Sequence, residues 1–446
     1  MANAVTITKR NSRMLQLLGT RTAALEDVTM VIRSVATWMV VILLAGIIAA
    51  CGSDSTPSAP SAPSAVGPLK IGLLLNFSDG PAGRADDRRK AFELAIKHVN
   101  DAGGVFGKPV EVVVGDSTLD PDIAAEEARR MIEDAGVHAI VGPSSSANTL
   151  VVVERVTGPA GIPTISPSAT SPKLTTLADN DFLFRTALSD TSQGPVLARV
   201  TREQGFTNVG LVYRDDAWGQ GLFESFQQAW TGPIESVAVT PDQITYLPQL
   251  QQTASAGAHA LVVITFEAEA ETIIREAIEN NVYDKFVFGD ASKSPDLVKA
   301  IGGDHLGGMY GTAGASAPDS PSYAAWADAY IGEYGELPTF AYAVETYDAT
   351  IALALAAQAA GDVDGSAIRD RLRAIGSAPG EVVLAGSEGI ASALRILSEA
   401  GEIDYEGASA TLDWDDNGDL RRGHIGIWRF KEDETIEELE TVPFEY

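Results

Sequence analysis

From Leu69 onward, short aliphatic and β-branched runs alternate with longer amphipathic stretches, and the alternation occurs twice along the chain. The first set reads as a strand from Leu69 to Leu75, a helix from Arg89 to Asn100, a strand from Val110 to Val114, a helix from Ile123 to Ala135 and a strand from His138 to Val141. Ile123, Ala128, Met131, Ile132 and Ala135 share one face of that second helix. The second set has a helix from Val196 to Glu203, a strand from Val209 to Tyr213, a helix from Leu222 to Ala229, a strand from Ala260 to Thr265, a helix ending at Glu279 and a strand from Phe286 to Phe288. Strand–helix–strand order specifies an α/β protein, since parallel neighbours need a crossover and helices must bury both faces of the sheet. Two such sets imply two lobes. The helical stretch from Phe340 to Ala360 and the strand from His424 to Phe430 are then expected to be shared between the lobes, crossing at a hinge.

The rest of the composition narrows the class. At 446 residues with 45% hydrophobic positions, the chain can bury the cores of two or three domains. Its 61 acidic residues outnumber 32 basic ones, and a net charge of -29 repels phosphate backbones, so nucleic acid is excluded as an expected partner. That charge serves solubility rather than substrate choice.

Residues from Met30 have the layout of a secretion signal: Arg33, an apolar run from Val35 to Ala50, then Cys51. The run is short for a spanning helix of roughly 20 residues. Ile48-Ala49-Ala50-Cys51 resembles the lipobox of bacterial lipoproteins, which implies that the Cys51 thiol receives a diacylglycerol and that cleavage precedes it. Two or more acyl chains hold a protein firmly on a bilayer. Residues 1–29 carry charges without an apolar core, so translation is expected to start at Met30 and residues 1–50 to be absent from the mature protein. Residues 51–68, rich in Ser, Pro and Ala, form a spacer. Cys51 is the only cysteine, so no disulfide or thiolate site is expected.

Other chemistries lack their residues. Asp413-Trp414-Asp415-Asp416-Asn417-Gly418 begins like a calcium loop, but His424 stands where the bidentate glutamate belongs. The five histidines have no zinc spacing, and no metal or cofactor is expected. Nucleotide-binding glycine motifs and the Gly-x-Ser-x-Gly elbow are missing. A serine hydrolase on Ser145 would need a histidine base that the sequence does not place nearby.

Several stretches, in order, resemble the type I periplasmic binding proteins of the leucine/isoleucine/valine-binding group: Asn100 to Gly107, Ile140 to Ser146, Ile165 to Pro172, Phe184-Arg185-Thr186, Gly289-Asp290 with Ser294 to Leu297, Tyr347-Asp348-Ala349, and Trp414 to Asp419. The resemblance covers Leu69 to Phe430. It implies two Rossmann-like lobes with parallel-sheet cores joined by a three-crossing hinge, lobe 1 being 69–187 plus 313–420 and lobe 2 being 188–312 plus 421–446. It implies capture of an amino acid, branched-chain or related, without catalysis, and delivery to the permease subunits of an ABC importer. A monomer on the outer face of the membrane is expected. Amide or urea solutes, a sensor role and an extracellular hydrolase are the alternatives.

The same resemblance marks candidate site residues. Ser145 and Ser146 follow a strand end, where hydroxyls and free N–H groups can meet a carboxylate or simply cap a helix. Ser168, Ala169 and Thr170 are expected to share the carboxylate and ammonium groups of the ligand, or to form a turn. Asp290 is expected to pair with the ammonium group from lobe 2, or to sit in a Gly-Asp turn. Trp218 either covers the ligand or packs in the core. The loop from Asp79 to Arg89 departs from the family pattern: its charges line a polar pocket or, the preferred expectation, solvate a surface helix start. That departure, with Glu267 after Phe266, weighs against a branched-chain ligand.

Overall fold

The computed structural model describes residues 66–80 and 82–446. The signal, Cys51 and most of the spacer lie outside the described residues. Five parallel strands form the first sheet, in the order β2-β1-β3-β4-β5: β1 Lys70–Leu75, β2 Glu111–Asp116, β3 Ala139–Val141, β4 Thr164–Ser166 and β5 Leu183–Arg185. Ile71 registers with Val112 on one side and Ala139 on the other. The second sheet has seven strands in the order β14-β13-β10-β9-β8-β6-β7. Here β6 Val209–Arg214, β7 Ile234–Val239, β8 Ala260–Ile264, β9 Phe286–Phe288 and β10 Tyr310–Ala315 are parallel, while β13 Arg422–Phe430 and β14 Ile436–Glu445 add antiparallel edges. A small parallel pair, β11 Glu381–Leu384 and β12 Ile403–Glu406, completes the strands.

The apolar runs make the centres of these sheets. All of Ala260–Ile264 is buried, as is β1 beyond Lys70, because both faces are covered by helices. The second helix runs Pro121–Glu133, not to Ala135. Asp120 caps it by accepting from the backbone N–H groups of Asp122 and Ile123. That start turns Ala124, Ala125, Ala128 and Met131 to the sheet and leaves Ile123 46% exposed, which corrects the expected face.

The long helix is Ala343–Ala360, and it is not shared. It is Ala- and Leu-rich, with Glu345 and Asp348 as buried acids in its first two turns, and it packs against the helices Ala82–Asp101, Gly365–Ile375 and Ser387–Ser398 and against β3 and β4, all on the first sheet's side. The strand β13 likewise belongs to the second sheet alone. The chain passes between the two sides after β5, after β10 and before β13. β10 runs unbroken across position 313 and pairs with β13 through Ala315, so the second passage follows that residue. Among the described residues no helix is long and apolar enough to cross a membrane.

Candidate functional site

A cleft of about 850 Å³ opens between the two sides, at the carboxyl ends of β1, β3, β4, β6, β8 and β9. Its serine wall is shaped by Gly142, directly after β3. At φ 114° a Cβ there would lie 2.0 Å from the Leu74 carbonyl oxygen, so the chain turns against β1 only as glycine. Ser144 donates to Asn76 Oδ1 at 2.5 Å. Ser145 caps the helix Ser146–Val152 by accepting from the Asn148 N–H at 3.3 Å, and Ser146 Oγ accepts from the Ser171 N–H at 3.2 Å. Both hydroxyls accept here and donate to no described acceptor, so their protons are available to an anion in the cleft. Ser168 Oγ donates to the Ser144 carbonyl at 2.8 Å, which ties the second loop to the first.

The loop carrying Ser168 is fixed from behind by Arg185, which is 1% exposed. Its guanidinium donates to the Ala169 and Ser171 carbonyls at 3.2 and 3.0 Å and forks onto Asp419 at 2.6 and 2.5 Å. Asp419, directly after the acidic Asp413–Gly418 stretch, is thereby engaged as the counter-charge of a buried arginine. Ser145, Ser146, Ser168, Trp218 and Asp290 line the cleft; Ala169 and Thr170 do not. Ala169 is buried in a small apolar cluster with Val153, Leu174 and Leu183, and Thr170 is 2% exposed behind the wall, its carbonyl accepting from the Asp190 N–H at 2.8 Å.

From the opposite side, Trp218 stacks on Phe266 with centroids 5.1 Å apart, and the Arg214 guanidinium covers Phe266 at 4.3 Å. Asp216 caps the Trp218 helix, accepting from the Gly219 N–H at 2.9 Å, and also holds Arg214, whose other partner is Glu269. Trp218 is thus both packed and part of the cleft wall.

Asp290 follows β9 and is 6% exposed. It accepts from the Tyr342 hydroxyl at 2.7 Å and from Gln193 Nε2 at 3.2 Å, and it forms no ion pair among the described residues. Burial pushes its carboxyl above the usual range, against the pull of the Tyr342 and Gln193 bonds. Asp190, fully buried at the base, is pushed well above the usual range by burial and by the neighbouring Asp290.

The sequence reading set aside or missed three cleft groups, Arg84, Arg88 and Tyr342, and one group behind the wall, Gln193. Arg84 and Arg88 were expected to solvate a helix start, but the helix is Ala82–Asp101 and both arginines project into the cleft, one turn apart. Arg84 Nη2 donates to the Ala291 carbonyl at 2.8 Å and lies 3.7 Å from Glu267. Burial and the nearby Arg84 push Arg88 down to about 10. Tyr342 and Gln193 were not singled out either: Tyr342 stands at φ 74° immediately before the long helix, and Gln193 lies in the polar first turn of the helix Asp190–Glu203. The i, i+4 spacing of Arg84 and Arg88 was the one signal in the sequence that could have placed them.

Comparison with known proteins gives the lineage. The family described as periplasmic binding protein matches residues 68–390. The chain is 25% identical to the chemotactic signal transduction system substrate-binding protein BasB of Halobacterium salinarum, over 78% of this chain and 83% of that one. It is 29% identical to a Leu/Ile/Val-binding protein homolog of Brucella abortus, over 62% of this chain and 74% of that one. A crystal structure of a leucine-binding protein from Thermotoga maritima superposes with a TM-score of 0.71 at 21% identity, covering 84% of this chain and 98% of that one, and shares the fold. The chain belongs to the type I periplasmic binding proteins, in the group that includes the leucine/isoleucine/valine-binding proteins.

Proposed function

We propose that the chain captures an amino acid by closing its two lobes on it, and that Ser145, Ser146, Ser168, Trp218 and Asp290 hold the ligand. The observation that carries this reading is Asp290, a buried carboxyl in the cleft wall with hydrogen bonds but no ion pair among the described residues, facing a wall whose Ser145 and Ser146 hydroxyls donate to no described acceptor. An ammonium group answers the first and a carboxylate the second. Thr170 and Ala169 support the serine loop from behind. The solute is delivered to the permease of an ABC importer, and Cys51 tethers the protein through acyl chains, with residues 51–68 as the leash. The names of the Leu/Ile/Val-binding relatives support an amino-acid ligand.

A second reading, a receptor for a signalling partner, is favoured by the chemotactic relative. Thermal unfolding with a panel of amino acids tests the first part of the proposal. A ligand at 100 times its Kd adds about 2.7 kcal/mol of stability and is recovered unchanged. A product accumulating in the mixture contradicts capture. Cross-linking to the permease rather than to a receptor separates the two readings.

A further inference from the structure

Four described cations line the cleft, and three of them have an answering charge. Arg214 is held by Asp216 and Glu269, Lys293 by Glu438, and Arg84 sits 3.7 Å from Glu267 with its Nη2 on the Ala291 carbonyl. Arg88 is the exception. It is 6% exposed, forms no ion pair among the described residues, gives one long bond of 3.4 Å from Nη2 to the Ala341 carbonyl, and leaves Nε without an acceptor. Glu345 and, beyond it, Asp290 are near enough to act on it through space but neither makes an ion pair with it, and burial raises the Glu345 carboxyl to about 7, so that countercharge at neutral pH is partial.

Tyr342 divides the cleft. Its hydroxyl donates to Asp290 at 2.7 Å, while Arg88 lies over its ring at 5.5 Å. One edge of the ring therefore serves an acid, and its face carries a cation, neither of which has an ion-pair contact among the described residues. A branched aliphatic side chain closing on this wall would leave the guanidinium desolvated and unanswered. A carboxylate would take it in the planar, two-pronged geometry that arginine offers.

We propose that the ligand is an acidic amino acid, its side-chain carboxylate seated against Arg88, its ammonium group on Asp290 and its α-carboxylate on the Ser145–Ser146 wall. This rests on the amino-acid reading above and names the class of side chain. Arg84, tied to Ala291 and Glu267 across the cleft, closes the same wall and adds positive potential beside Arg88. With Asp290 and Arg88 on either side of one tyrosine, a dicarboxylic amino acid meets an opposite charge at its ammonium and side-chain carboxylate, and hydroxyl donors at its α-carboxylate.

The test is calorimetric titration of the full chain with L-glutamate, L-aspartate, their amides L-glutamine and L-asparagine, and L-leucine. At least one acid is expected to bind about tenfold or more tightly than its own amide, the size of a charged hydrogen bond lost. Arg88→Met is expected to erase that preference, and Arg88→Lys to restore part of it. Should Arg88→Met fail to fold, the acid-to-amide ratio of the unaltered protein decides alone. Leucine or an amide binding as well as the acids overturns the side-chain assignment and leaves the amino-acid reading standing. No binding by any amino acid overturns both.

Discussion

Tyr342 holds a left-handed backbone conformation, φ 74° and ψ 16°, that costs a residue with a Cβ about 1–2 kcal/mol. Its hydroxyl bond to Asp290 and the Arg88 guanidinium over its ring offset that cost. The hydroxyl also pulls the Asp290 carboxyl down against burial. Tyr342→Phe therefore lets Asp290 rise further, so ammonium binding, full above that raised pKa and lost as pH falls through it, should fail at a higher pH than in the unaltered protein. Ligand affinity measured across pH checks this. Glu345 gives a second pH signature. Its folded value of about 7 stands above the ordinary 4.5, chiefly through burial, so its stabilising share is full below the ordinary value and is lost as pH rises through about 7. Glu345→Gln should remove a loss on the order of 1–3 kcal/mol, seen as a flatter dependence of melting temperature on pH.

At the scale of elements, what was legible in the sequence follows what is buried. The strands β1, β8 and β9 are continuous apolar runs, and they stand where those runs predict. The helices that border the cleft do not. They begin at Ala82, Asp190 and Ala217 rather than Arg89, Val196 and Leu222, since their first turns, in the cleft wall or buried behind it, are largely polar and carry no apolar stripe. That is why the Arg84 and Arg88 charges were assigned to a helix start in preference to a polar pocket and Gln193 went unread, while Trp218 was found only through the family resemblance. The strands β7 and β14 lie at sheet edges, and β14 reads Ile-Glu-Glu-Leu-Glu-Thr-Val-Pro-Phe-Glu, with charges that guard an edge and mask the pattern of a strand. Arg185, at the end of β5, belongs to this scale too, because it joins β5, the Ser168 loop and the Asp415–Asp419 turn. Asp419→Ala leaves its guanidinium buried and unpaired, and should cost about 3–5 kcal/mol in chemical denaturation.

Across the whole molecule, the two sides meet at both ends of the cleft. Ser171 Oγ donates to the Ala217 carbonyl at 2.7 Å and Lys173 Nζ to Gln220 Oε1 at 2.6 Å, while Arg84 reaches the Ala291 carbonyl and Tyr342 reaches Asp290. Gly221 lets the first of these contacts form, since a Cβ there would come within 2.6 Å of Pro172 Cδ. The two-lobed α/β plan was legible from strand and helix order, but the partition of the long helix was not. A helix with no polar face announces burial without saying which sheet buries it; its neighbours, the helices Ala82–Asp101 and Ser387–Ser398, assign it to the first side. Contacts at both ends of the cleft with a buried acid between them are the arrangement that closure of the lobes on a zwitterion would use. The most direct test is calorimetric titration of the unaltered chain and of Asp290→Asn with the amino-acid panel. One-to-one binding by at least one amino acid, weakened about tenfold or more by Asp290→Asn, is the expected result; absence of binding by every amino acid, or equal affinity in the two proteins, would contradict capture of an ammonium group at Asp290.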